Sequence, residues 1–158
     1  MDYIIREMLK KEYGLLEDFL YEAIFIPEGV AAPERSIIRQ QPLQVYITDF
    51  GKEKDDIAFV AEIDGKVAGA VWARIMDDYG HIDDHTPSLA ISLYKEYRGL
   101  GMGSAMLDKM LSALKQKGYE RTSLAVQKAN YAVKMYQKAG FEVIDENEEE
   151  YIMVFRLQ

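Results

Sequence analysis

A glycine-rich turn near the middle of the chain has the composition of an anion-binding site. Residues 98–103 read Arg-Gly-Leu-Gly-Met-Gly, between an apolar run at 89–93 and a segment with helical periodicity. The first turn of a helix leaves N–H groups without intrahelical partners, and the helix dipole adds partial positive charge there. Glycines let a phosphate approach the backbone because they lack a Cβ. The pattern therefore predicts a phosphate-binding loop.

The spacing of the glycines excludes two common phosphate-binding motifs. A Walker loop requires a Lys-Ser/Thr pair after its last glycine, whereas a Ser-Ala pair follows here. A dinucleotide fingerprint counted from Gly101 requires a third glycine where Met106 stands. The remaining pattern, Arg98-x-x-Gly101-x-Gly103, resembles the pyrophosphate-binding loop of the GNAT superfamily of N-acetyltransferases.

A second segment supports this resemblance. Residues 130–141 are similar to the Asn…Ala…Tyr…Gly-Phe segment that follows the fifth strand in the family, with Asn130 and Tyr136 at the polar positions. In many members the asparagine stands one residue further upstream of the tyrosine, so the match is closer at Tyr136 than at Asn130. Two partial motifs in the expected order are more specific than either alone.

The resemblance implies a fold, a cosubstrate and a reaction. The fold is an α/β (α+β) domain over residues 1–158, with a mixed, mostly antiparallel sheet of six to seven strands and about four helices. The reaction passes the acetyl group of acetyl-CoA directly to a primary amine, without a covalent intermediate. The residues that motif position assigns to coenzyme binding are Ile91, Ser92, Leu93, Arg98, Gly99, Leu100, Gly101, Met102, Gly103, Ser104, Asn130 and Tyr136.

This reaction has two energetic requirements. An alkylamine with a pKa near 10.4 is almost fully protonated at pH 7, so its neutral form lies roughly 4.6 kcal/mol uphill and a general base is needed. The tetrahedral intermediate carries an anionic oxygen, for which the N–H of Leu93 is the resembling donor. Tyr136 is the expected catalytic residue, donating to the departing thiolate. Helical spacing alone would place Tyr136 in the core, and Asn130 alone would be an N-cap.

The general base is not identified by a motif. The central strand has no carboxylate between Ser88 and Leu93, where some family members carry a glutamate. The candidates are His81, Asp83, Asp84 and His85 in the preceding loop, and Glu62 on a hairpin strand. The His and Asp spacing also resembles a metal site, but a solvated loop is the favoured interpretation and we expect no metal. The acidic loop is expected to tune the site toward a cationic amine.

Composition restricts the class of protein and its partners. The 158 residues suffice for one domain with a core, and the absence of Cys excludes disulfides, a thiolate nucleophile and Cys-ligated zinc. A formal net charge of −8 argues against nucleic-acid binding and favours a cationic acceptor. No apolar run is long enough for a membrane span and no signal-peptide pattern is present, so we expect a cytoplasmic protein. The oligomeric state stays open, a homodimer included.

The predicted element order is β-α-α-β-β-β-α-β-α-β-β, which is the layout of the GNAT fold. The predicted strands are 3–9, 57–63, 67–76, 89–93, 122–127, 141–145 and 151–157. Helices are predicted from about residue 11 to 26, after the glycine-rich turn to about 117, and over 131–139, with one or two short helices broken by Pro42 within 34–50. The Asp64-Gly65 pair predicts a two-residue type I′ hairpin.

A catalytically silent acyl-CoA-binding or sensing domain is the alternative function. The phosphate-binding loop would look identical in such a domain, although the presence of Tyr136 favours an enzyme. The acceptor is expected to be selected by residues 20–44 and by the hairpin loops, where the resemblance gives little guidance.

Overall fold

Seven strands form one mixed sheet in the computed structural model, which describes residues 2–158. The strands are β1 (Tyr3–Glu7), β2 (Ile57–Ile63), β3 (Lys66–Arg74), β4 (Ser88–Leu93), β5 (Arg121–Gln127), β6 (Glu142–Glu146) and β7 (Glu150–Arg156). Their spatial order is β1-β2-β3-β4-β5-β7-β6, and every neighbouring pair except β4 and β5 is antiparallel. The predicted mixed, mostly antiparallel sheet is confirmed.

Four α-helices accompany the sheet within residues 2–158, as predicted. They are α1 (Leu16–Glu22), α2 (Gln41–Gln44), α3 (Met102–Gln116) and α4 (Ala132–Ala139). In α3 the apolar residues spaced at three and four positions are buried, and Gly118 follows the helix with a φ of 90°. Within residues 2–158, no helix combines the length and the apolar character needed to cross a membrane.

The two faces of the sheet carry separate hydrophobic clusters. Helices α3 and α4 pack on one face, the α3 face, where they contact residues such as Phe59 and Val71. Helix α1 and Ile38 pack on the other, the α1 face, around Trp72. Neighbouring strand residues point to opposite faces, which is why Val71 and Trp72 belong to different clusters. Strands β2 and β3 are buried on both faces, consistent with their nearly continuous apolar sequences.

The β2–β3 connection has the predicted hairpin geometry. Asp64 and Gly65 adopt φ values of 51° and 76°. Positive φ at both central residues is the requirement of a type I′ turn. The turn sets the register of the central hairpin, in which Ile63 pairs with Lys66.

Two local predictions before β2 are wrong. The helix predicted to reach residue 26 is 3-10 over Lys10–Leu15 and α-helical only as far as Glu22. Residues 23–26 instead line a cleft, so their tertiary placement ends the helix before Pro27 does. Pro42 does not break a helix but lies in the first turn of α2, where its missing N–H leaves no hydrogen bond unmade.

Strands β4 and β5, the parallel pair, are hydrogen-bonded over only a short stretch before they diverge. Its register contains a single pair, Ser88 with Ser123, whereas β4 pairs with β3 at six positions. Gly80, from the loop at 77–86, packs at this junction, because a Cβ on it would lie 3.0 Å from the backbone of Ala125. Beyond Ser88 the two strands leave a gap through the sheet.

Candidate active site

A cleft of about 870 Å³ opens where β4 and β5 separate. Its volume lies within the roughly 300–1,000 Å³ typical of small-ligand sites. One part, the loop half, is lined by residues 91–104 and by α4. The other, the aromatic half, lies beyond the gap. The lining includes every residue predicted to bind the coenzyme except Leu100 and Met102.

The first turn of α3 forms an anion-binding surface in the loop half. The N–H groups of residues 102–104 lie in the first turn of α3 and lack intrahelical partners. Gly101, the N-cap, has no side chain that could accept from them. Gly99 and Gly101 have φ values of 78° and 90°, and a Cβ on either would meet nothing within 4 Å. The turn therefore presents free donors to open space, as a phosphate group requires.

Three of the predicted contact residues do not direct their side chains into the cleft as ligand-binding groups. Met102 is fully buried in the core on the α3 face, whereas the Leu100 side chain is 45% exposed outside the cleft lining. The Ser92 hydroxyl donates to the carbonyl of Phe19 in α1, at 2.6 Å. Met102 and Ser92 are therefore left mainly with their backbone groups for ligand binding, and Leu100 lies outside the lining.

The Arg98 guanidinium bonds to protein groups. Its Nε donates to the Leu93 carbonyl at 3.0 Å, and its Nη2 donates to the Glu22 carbonyl at 3.1 Å and lies 3.6 Å from the Glu22 carboxylate. The side chain thus joins the ends of β4 and α1. Lys95 also lines the cleft and forms no ion pair within residues 2–158. Local positive potential therefore comes more from Lys95 and the helix end than from Arg98.

The inner edge of β4 carries N–H groups that point into the gap. The Tyr94 N–H donates to the Ala68 carbonyl on the β3 side, at 3.0 Å. Successive N–H groups of a strand point to opposite sides, so those of Leu93 and Ile91 point toward the diverging β5. The predicted oxyanion donor at Leu93 is therefore directed into the cleft, and Ile91 provides a second donor.

Tyr136 is both a core residue and a cleft residue. It is 7% exposed and stacks edge-on against Phe141, with ring centroids 5.7 Å apart. Tyr136 lines the cleft, and its hydroxyl makes no hydrogen bond to residues 2–158. Burial raises the pKa of Tyr136, which keeps the phenol protonated at neutral pH. A free O–H at this position can donate to an anionic ligand atom.

Asn130 caps α4 and also borders the cleft. Its Oδ1 accepts the N–H of Ala132, the first residue of α4, at 2.9 Å, although the N-cap position is Tyr131, one residue later than predicted. The amide nitrogen makes no hydrogen bond within the described chain. Asn130 can therefore cap the helix and donate to a ligand at the same time.

The aromatic half is built from side chains of separate segments. Tyr21 and Glu22 end α1, Tyr46 follows α2, Tyr79 lies in the loop before β4, and Glu150 begins β7. The Glu150 carboxylate forms no ion pair within residues 2–158. Sequence reasoning missed Tyr46, Tyr79 and Glu150 as site residues. The tyrosines belong to no motif, and Glu150 lies in an acidic run that reads as a solvated turn.

The candidate general bases His81, Asp83, Asp84, His85 and Glu62 all lie outside the cleft lining. Asp83 pairs with Arg121 at 2.7 Å, and this hydrogen bond lowers the pKa of Asp83 to about 2. Glu62 pairs with Arg6 at 3.0 Å, and the His81 ring contacts a backbone carbonyl at 2.8 Å. Residues 2–158 contain no cluster of three or more His, Cys, Asp or Glu suited to a metal ion.

The same loop places a different carboxylate next to the cleft. Asp78 Oδ1 accepts the Ser88 hydroxyl at 2.8 Å, where β4 and β5 are still paired. Asp78 Oδ2 is buried and has no hydrogen-bond partner. Burial raises the pKa of Asp78. Burial also raises the pKa of Tyr46, and the negative charge of Asp78 adds to this effect.

Comparison with known families gives one match that covers most of the chain. The model of the Acetyltransferase (GNAT) family matches residues 20–141, which include both glycine-containing motifs. The N-alpha-acetyltransferase of Sulfurisphaera tokodaii is 32% identical over 102 residues, or 59% of this chain. The match covers 60% of that relative, which is less than two thirds of its length.

Solved structures share the fold over nearly the whole chain. The PaiA N-acetyltransferase of Thermoplasma acidophilum, in complex with coenzyme A, has a TM-score of 0.72 at 20% identity and covers 99% of both chains. YncA of Salmonella typhimurium, a putative acetyltransferase with its cofactor acetyl-CoA, has a TM-score of 0.69 at 14% identity, covering 100% of this chain and 95% of that one. The expected fold is confirmed.

Proposed function

The chain belongs to the acetyltransferase (GNAT) family, and we propose that it transfers the acetyl group of acetyl-CoA directly to a primary amine. The observation that carries this proposal is the presence, in one cleft, of an α3 turn with free N–H groups and of the inner edge of β4. Two proteins of the same fold bind coenzyme A or acetyl-CoA, which supports the choice of cosubstrate.

The loop half would bind the coenzyme. The N–H groups of residues 102–104 suit the pyrophosphate, and Lys95 adds positive charge to a chain whose net charge is −8. The inward-facing backbone groups of β4 suit the amide-containing pantetheine arm. Asn130 and Tyr136 border the same path, so the thioester would lie between β4 and α4.

The chemistry would be a direct attack in a ternary complex. The amine nitrogen forms a bond to the thioester carbon, and the oxygen becomes anionic beside the N–H of Leu93 or Ile91. The C–S bond then breaks with its electron pair going to sulfur, and Tyr136 donates a hydrogen bond or its proton to the leaving sulfur. The extra proton on the new amide nitrogen passes to solvent or restores the phenol. Because burial raises its pKa, Tyr136 is protonated throughout the neutral range and available as a donor.

The aromatic half would bind the amine, which we propose to be cationic before it reacts. Tyrosine rings and the Glu150 carboxylate, which forms no ion pair within residues 2–158, suit an ammonium group. This half opens on the far side of the gap from α4, so both substrates can be present together. No cysteine is available for a covalent intermediate, in keeping with direct transfer.

An acceptor panel tests the proposal. The purified protein is incubated with acetyl-CoA and with a peptide bearing a free N-terminus, an N-blocked lysine peptide, or spermidine. We expect thiol release that depends on one of these amines, together with the mass of the acetylated product. Coenzyme binding without transfer to any amine would instead favour the silent acyl-CoA-binding domain, and absence of coenzyme binding would contradict both functions.

A further inference from the structure

Two basic side chains follow β4 and line the cleft, and they differ in what they contact. Lys95 forms no ion pair within residues 2–158, whereas Arg98 uses its Nε and its Nη2 on protein groups. The motif assigns Arg98 to the coenzyme, but a guanidinium with engaged donors has fewer left for a phosphate. Its contacts point to a different role, on the amine side of the cleft.

Side chains from the end of β4 hold the middle of α1. The Ser92 hydroxyl donates to the Phe19 carbonyl at 2.6 Å, and the Tyr94 hydroxyl donates to the Asp18 carboxylate at 2.7 Å. The rings of Phe19 and Tyr94 also pack together, with their centroids 4.9 Å apart. The helix is therefore tied to the strand that carries the predicted oxyanion donor.

Arg98 ties the end of the same helix to the end of the same strand. Its Nη2 donates to the Glu22 carbonyl at 3.1 Å, in the last turn of α1, where carbonyl groups have no intrahelical partner. Its Nε donates to the Leu93 carbonyl at 3.0 Å. The N–H and C=O of one strand residue point to the same side, so Arg98 occupies the carbonyl beside the predicted oxyanion donor and leaves that N–H free. One planar group thus sets the distance between the helix end and the donor.

The segment that follows α1, residues 23–32, forms part of the cleft wall and depends on this helix for its position. Beyond the helix cap its hydrogen bonds within the described chain are local, from the N–H groups of Ile24 and Val30, each to a carbonyl three residues earlier. The Pro33 carbonyl after the segment accepts the Tyr21 hydroxyl, which again belongs to α1. The segment therefore lies where the end of α1 places it.

We infer that Arg98 is a positioning residue for the amine substrate, an inference that rests on the proposed acetyl transfer. It fixes the end of α1, and with it the wall formed by residues 23–32, relative to the β4 N–H groups that face the thioester. Phosphate binding is left to Lys95 and to the first turn of α3. An amine held against a displaced wall would approach the thioester carbon poorly, and a displacement of about 1 Å can cost about a hundredfold in rate.

Substitutions at the two basic residues separate positioning from phosphate binding. Arg98→Ala should lower kcat/KM for the most active panel amine by about tenfold to a hundredfold at saturating acetyl-CoA, with the Kd of acetyl-CoA within about twofold of wild type. Arg98→Lys should give the same result, because an ammonium group keeps the charge but lacks the planar fork that holds two carbonyls. Lys95→Ala should instead raise the Kd of acetyl-CoA by up to about fivefold, and high salt should reduce the difference.

Hydrogen–deuterium exchange of the free protein gives a readout that does not depend on activity. When the anchor at the helix end is removed, residues 23–32 should open more often. The amide protons of Ile24 and Val30 should therefore exchange several-fold faster in Arg98→Ala than in wild type. In Lys95→Ala they should exchange as in wild type, because Lys95 makes no contact with α1 through an ion pair.

Arg39→Ala is the matched control. Arg39 also pairs with a glutamate of α1, Glu17, at 3.7 Å, but both residues lie outside the cleft lining. Its kinetics, coenzyme Kd and exchange should follow wild type.

Three results for Arg98→Ala would each overturn the inference: a wild-type kcat/KM, unchanged exchange of residues 23–32, or a Kd of acetyl-CoA raised tenfold or more. If Arg98→Ala does not fold, Arg98→Lys decides by the same criteria. A wild-type protein that acetylates no panel amine would remove the proposed function. The exchange of residues 23–32 would then still decide whether Arg98 holds this wall.

Discussion

The two halves of the cleft offer different groups for ligand binding, backbone N–H groups in one half and side chains in the other. The loop half offers backbone N–H groups of α3 and β4, held by positive φ angles at Gly99 and Gly101. The aromatic half offers side chains brought together from α1, the segment after α2, the loop before β4, and β7. A ligand site made from backbone can serve one shared coenzyme in many proteins, whereas a site made from scattered side chains is free to vary with the second substrate.

Among the substitutions that test the difference between the two halves, Tyr136→Phe should have the largest effect on the reaction rate. The change removes the one side-chain donor that the loop half contributes to chemistry, and it keeps the contact with Phe141. We expect single-turnover acetyl transfer to slow by about 10²–10⁴-fold, with coenzyme affinity nearly unchanged. A rate within a few-fold of wild type, with slightly lower thermal stability, would reduce Tyr136 to a core residue.

Gly101→Asp tests whether the loop half depends on its backbone. The φ of 90° disfavours any side chain by about 1–2 kcal/mol, and the new carboxylate would repel phosphate. Calorimetry should show acetyl-CoA affinity reduced by roughly tenfold to a thousandfold. Gly118→Asp is a matched control, since Gly118 has the same φ and equally open surroundings at the other end of α3. Equal affinities for the two variants would contradict the phosphate-binding role.

Glu150→Gln tests the charge of the aromatic half. Loss of a partly exposed carboxylate should raise KM for a cationic amine by up to about fivefold, and high salt should reduce the difference. Glu148→Gln changes a charge in the same acidic turn but outside the cleft lining, so it should leave KM unchanged. The same KM shift in both variants would mean that only net charge matters.

Asp83→Asn should have the smallest effect on the reaction. Because Asp83 is paired with Arg121 outside the cleft, the amine KM should stay within twofold of wild type. Because pairing with Arg121 lowers the pKa of Asp83, the ion pair stabilises the folded state at pH values above the usual carboxyl pKa of 3.8. This stabilisation is lost as the pH falls toward about 2. Urea unfolding should therefore show wild type slightly more stable at pH 6 and equal at pH 2. A raised amine KM in Asp83→Asn would instead mean that Asp83 contributes to acceptor binding.

The difference between the halves also explains why the sequence predicts the loop half but not the side chains around the aromatic half. The turn at α3 has fixed requirements for glycine and for helix periodicity, so the sequence predicts both the binding loop at residues 98–104 and the helix that follows it. Asp78 stands in the same acidic loop as Asp83, and nothing in their local sequence tells which is buried. That depends on how Gly80 packs against Ala125, a contact between segments distant in the chain.

The end of α1 and the partners of Arg98 could not be predicted from the sequence, because both depend on contacts between distant segments. Local propensity predicts that α1 extends to residue 26, whereas residues 23–26 line the cleft in the folded protein. Arg98 was identified from its motif, but its bonds to Glu22 and Leu93 depend on the distance between α1 and β4 in the folded protein.

The single register pair of β4 with β5 gives the sheet four edges instead of two. The outer edges, β1 and β6, can meet another protein's strand, and all of β6 is exposed. The two inner edges face each other across the cleft, so their unpaired amide groups remain available to an amide-containing ligand. The amide protons of Ile91 and Leu93 should therefore exchange quickly with deuterium in the free protein, although they belong to a central strand, and slowly once the gap is filled.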